Sequence, residues 1–78
     1  MPGYFFHVRE ADTLSVDIEG AVLVGEDQAI QEGVQAARET LAEEILLGDI
    51  IDHISFEVVR AGGHLIAVIP VSSVLRFQ

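Results

Sequence analysis

The 78-residue chain has no cysteine and no lysine. Without cysteine there is no disulfide, no thiolate metal site and no cysteine nucleophile. The four basic residues are all arginine (Arg9, Arg38, Arg60 and Arg76), scattered among 13 acidic ones for a formal charge of −9. Nucleic-acid binding draws on clustered positive charge that displaces counterions from phosphates. This distribution therefore argues against direct DNA or RNA binding, and against docking on an anionic membrane. The chain also lacks any apolar run near the roughly 18 residues that span a bilayer, and it starts with neither the basic residues nor the apolar stretch of a signal peptide. A cytoplasmic location is the resulting expectation. The acidic surplus favours solubility or a basic protein partner.

Half the residues are apolar and 22% are charged, too hydrophobic for a disordered acidic chain. A chain this short buries only roughly 60% of the surface its unfolded form exposes, so residues 1–78 are expected to form one domain with an economical core.

Residues 4–9 alternate Tyr4, Phe6 and Val8 with Phe5, His7 and Arg9. Aromatic and β-branched residues dominate both sets, which predicts a first strand. After the turn Glu10-Ala11-Asp12, Leu14, Val16 and Ile18 alternate with Ser15, Asp17 and Glu19 and predict a second, edge strand. Asp27 suits a helix N-cap. From there Ile30, Gly33, Val34, Ala37, Leu41 and Ile45 recur at spacings of three and four, predicting an amphipathic helix over 28–47 closed by Gly48. Gly33 costs about 1 kcal/mol against alanine in a helix interior. Its position on the apolar stripe implies close approach to a sheet, with Ala67 as the facing residue.

Ile50 and Ile51 are expected to plug the end of the core. Residues 54–60 and 64–70, joined by Ala61-Gly62-Gly63, predict a hairpin whose pairing stops at Pro70, with Ser72 capping a last turn. The fold class is thus α+β: ββαββ, a four-stranded sheet with one helix packed on one face. Because the first and last strands are the most apolar on both sides, they are expected to form a central parallel pair, in the order 2-1-4-3.

The opening motif Tyr4-Phe5-Phe6-His7-Val8, with Asp17-Ile18-Glu19-Gly20 and the acidic, alanine-rich helix, resembles a family of small uncharacterised alphaproteobacterial proteins. Such sequences often carry Asp-Gly where this one has Glu10-Ala11-Asp12. The resemblance implies a bacterial protein and no particular activity. In architecture the chain is also similar to HicB-type antitoxin domains, which pack a short antiparallel sheet under a helix and bind a small basic toxin; no functional residue is carried over from them.

Histidine inside a strand raises the prospect of a ligand or proton shuttle at His7, yet an imidazole on an open sheet face is more often a packing or rim residue. His64 falls too far along the sheet to share a metal with it. Asp49, Asp52 and His53 have the flavour of a metal cluster, but so compact a set needs a backbone wrap that nothing dictates. Ser15, Ser72 and Ser73 have no neighbouring base, and no phosphate-binding glycine loop occurs. The expectation is therefore a protein that is not an enzyme, with no catalytic residue, metal or cofactor. The open face, with Phe5, Val59, Ile66 and Val68 ringed by His7, Arg9, Glu57 and His64, is expected to be an interface. A homodimer is the first reading of that face. The second is an antitoxin-like or regulatory domain binding a basic protein.

Overall fold

The computed structural model describes residues 2–48 and 50–76. Asp49 and the tail residues Phe77 and Gln78 lie outside the described residues. The elements are β1 (Gly3–Glu10), β2 (Thr13–Ser15), β3 (Ala21–Val22), α1 (Glu26–Leu47), β4 (Ile54–Arg60), β5 (His64–Pro70) and a 3₁₀ helix (Val71–Arg76). The α+β class holds: among the described residues one α-helix lies against a sheet of five strands, not four. The extra one arises because the second predicted strand stops at Ser15 and the chain rejoins β1 only at Ala21 and Val22.

The strand order also differs from expectation. The sheet runs β2-β1-β4-β5, with β3 on β1 beside β2, and the pairings are antiparallel. The central partner of β1 is β4, along an unbroken register from Tyr4 opposite Arg60 to Glu10 opposite Ile54. Antiparallel pairing is the slightly stronger arrangement per residue. It also lines up Phe6 and Val8 with Val58 and Phe56, so one apolar layer forms under the helix. A register shift between Val58 and Val59 interrupts the match of β5 to β4, which suits β5 to an edge.

Gly25, not Asp27, is the N-cap, and among the described residues no side chain caps the helix. Glu26 and Asp27 occupy the first turn, where the helix dipole favours negative charge, and the Gln28 side-chain oxygen accepts the Val24 N–H at 3.0 Å. At the other end Gly48 adopts φ 76°, the left-handed conformation that ends helices, as expected. A Cβ at Gly48 would meet nothing within 4 Å. Gly48→Ala should therefore cost only its conformational strain, about 1 kcal/mol in a urea melt.

The buried stripe of α1 is Ala29, Gly33, Ala37 and Leu41, each four residues from the next. Ile30 and Ile45, expected on that stripe, are displaced to the flank and to solvent. The reason is closeness: small residues let the backbone settle onto the sheet, and a large side chain fits only beside the contact line. A Cβ at Gly33 would stand 2.7 Å from Ile69 Cδ1 and 2.9 Å from Val58 Cγ2, so those two residues, rather than Ala67, face it. Tyr4, Ile54, Phe56, Val58 and Ile69 complete the sheet side of the core, and Val71 and Val74 of the 3₁₀ helix close its end. Ser73, not Ser72, makes the local bond there, its hydroxyl donating to the Pro70 carbonyl at 2.6 Å. Ile51 packs against the core while Ile50 is exposed. No helix among the described residues is long and apolar enough to cross a membrane.

Candidate interaction face and the Asp17 clasp

The helix covers one side of the sheet and leaves the other open. Directly paired residues of antiparallel strands share a face, so the register defines what the open side carries. Phe5, Val59 and Leu65 form one cross-strand row; His7, Glu57 and Val68 form the next; Arg9 and Ser55 lead the third. Arg9 and Glu57 pair diagonally, Nε to Oε2 at 2.5 Å. Of the expected face, Phe5, His7, Arg9, Glu57, Val59 and Val68 are thus brought together.

His64 and Ile66 are not. The bulge at the Val58/Val59 shift resets the alternation of β5. Ile66 packs against the core, and His64 lies opposite Arg60 in the row that holds buried Tyr4. Leu65 takes the place expected for Ile66 and is 55% exposed, with Val68 at 52%. A bulge adds one residue to one strand and so inverts the alternation beyond it, which hydrophobic patterning along a strand cannot reveal.

His7 is tied to Asp17, whose role strand alternation does not show. The Asp17 backbone N–H donates to His7 Nδ1 at 3.0 Å, and the Asp17 carboxylate accepts the Phe6 backbone N–H at 3.1 Å. Its other oxygen accepts the N–H groups of Glu19 and Gly20, both at 3.2 Å. The clasp occupies the outer edge of β1 in the gap between β2 and β3, replacing a strand partner with a side chain. Gly20, at φ 67°, presses so close that a Cβ would lie 2.8 Å from the Tyr4 carbonyl and 2.7 Å from the Phe5 ring. Burial opposes ionisation of Asp17, but the three amide donors, together with the neighbouring His7, outweigh it and hold its carboxyl below the usual aspartate range.

An imidazole nitrogen that accepts an amide proton is unprotonated, so this contact assigns the proton of neutral His7 to Nε2. The ring stacks on Phe5 with centroids 6.2 Å apart. The signal that could have revealed the clasp is Asp17 three residues before Gly20, the pattern of an Asx turn with a left-handed glycine. Because Asp17 turns in to β1, Val16 and Ile18 are left in solvent, Ile18 at 87% exposure.

Elsewhere, His53 Nε2 lies 3.3 Å from the Glu10 carboxylate on an exposed rim. Asp52 is exposed beside it. Among the described residues no three histidine, aspartate or glutamate side chains are placed to hold a metal ion. His7 and His64 are separated by β4 and by register.

An α+β fold in which, among the described residues, one helix packs on one face of a mostly antiparallel sheet and Asp17 clasps the first strand is the class these features define. The chain belongs to the family described as Domain of unknown function (DUF6894), whose model matches residues 3–72. No curated protein and no solved structure matches it.

Proposed function

We propose that the protein is a non-catalytic interaction module that self-associates through the open face of its sheet. The observation that carries this is the apolar row Phe5, Val59 and Leu65, with Val68 beside it, on the side the helix leaves bare. Two of the charges on that face, Arg9 and Glu57, neutralise each other, which eases the approach of two copies of an acidic chain there. The proposal includes no metal or cofactor.

Light scattering at micromolar concentration should give twice the 8.5 kDa chain mass. Val59→Glu, at the centre of the row, should weaken the dimer by at least about 2 kcal/mol, roughly thirtyfold, because each copy would bury an unpaired charge. A wild-type protein that stays monomeric at high concentration would sink the proposal.

A regulatory contact with a basic protein, of the kind HicB-type domains make, is the second reading. It is favoured by the acidic surplus, with Arg9 and Arg60 both facing carboxylates. Capture of a basic partner that is released by salt would mark it.

A further inference from the structure

We infer that two copies meet along β5, related by a two-fold axis that passes beside Val68. The arrangement presupposes the self-association proposed above and names where on the open side it is centred. The first observation is charge. Residues 61–75 carry no charged side chain in a chain of net charge −9, and the one charge directly across from Val68, Glu57, is paired with Arg9, whereas the β1–β2 end of the sheet holds Arg9, Glu10, Asp12, Asp17 and Glu19. A two-fold contact presents the same patch to itself, so an acidic patch at the axis repels its own copy and an uncharged one does not.

The second observation is the pattern of strand edges. The outer edge of β1 is taken by β2, β3 and the Asp17 carboxylate, while no described strand pairs with the outer side of β5. Leu65 and Val68 stand on the open face at that free edge, each more than half exposed, so a contact centred there is continuous with the row Phe5–Val59–Leu65. The occupant is a second copy, since an uncharged apolar strip offers nothing to a basic partner. The charged ends of the sheet then fall at the rim, where water screens them.

The absence of cysteine makes the test direct. Single variants Val68→Cys, Ile18→Cys and Leu46→Cys are oxidised under mild conditions, and disulfide-linked dimer is followed on non-reducing gels. Circular dichroism confirms the fold of each. Ile18 and Leu46 are each 87% exposed against 52% for Val68, so accessibility alone ranks Val68 last. A disulfide needs Cα atoms within about 7 Å, which the axis provides for residue 68 and its own copy.

Val68→Cys is expected to cross-link at least about tenfold faster than either control. Rates that follow exposure, in a protein that still has dimer mass, would overturn the β5 axis and leave self-association standing. Monomer mass with slow cross-linking everywhere would overturn both.

Discussion

Gly33→Leu should destabilise the protein by about 3 kcal/mol or more and drive much of it to unfold or lose fixed packing, while Glu39→Ala shifts the urea midpoint only slightly. Total stability for a chain of this size is of order 4–12 kcal/mol. The first substitution forces carbon into space held by Ile69 Cδ1 and Val58 Cγ2, 2.7 and 2.9 Å from the position of a Cβ. Ile69 can swing its terminal methyl aside. Val58 is fully buried and branched at Cβ, with little rotamer freedom, so the helix itself must lift. Lifting it opens the contacts of Ala29 and Ala37, both fully buried. Leucine would gain nearly 1 kcal/mol of helix propensity over glycine, too little to offset this. Glu39 lies on the solvent side, where it accepts from the Gln35 side-chain amide at 3.3 Å. Coincident melts of the two variants would show that the wrong helix face has been assigned to the core.

Asp17→Ala should cost about 2 kcal/mol, because a charge-assisted acceptor of three amides is removed and the half-buried Phe6 N–H is left without a partner. That figure is already reduced for the partial exposure of the site. Asp17→Asn keeps an acceptor oxygen and loses the charge, so its cost should fall between wild type and alanine at neutral pH. The sign of the pH dependence follows from the lowered carboxyl pKa. A group that binds its proton less readily when folded stabilises the fold fully above the unfolded aspartate value near 3.9. That contribution is lost as pH falls through the lower folded value. The stability gap between wild type and Asp17→Asn should therefore be present above about pH 5 and shrink below about pH 4. Other carboxylates titrate in the same range, so the difference between the two proteins is the quantity to plot. A gap that widens in acid would mean that the amides do not hold the ionised carboxylate.

Features governed by neighbours in sequence were legible from the residues. The alternation over residues 4–9, the three-and-four spacing of the helix, Gly48 at its end and the Ala61-Gly62-Gly63 turn each express a backbone preference within a few residues. The close approach at Gly33 was legible too, because a glycine in mid-helix is a local cost that only contact explains. Six of the eight residues expected on the open face lie there, since strand alternation is also local.

Tertiary structure alone decided which strand lies beside β1. Strand directions allowed either an antiparallel β4 or a parallel β5, and the choice rests on how whole apolar rows match across 48 residues of chain, as between Arg9 and Glu57. It also decided the bulge that turns Leu65 outward and Ile66 inward, which depends on fitting β5 to a neighbour already in place. Asp17 is the third case. Alternation marks it as the polar side of a strand, but the gap between β2 and β3 leaves the Phe6 amide unpaired, and a half-buried amide without a partner costs more than breaking the pattern to supply one.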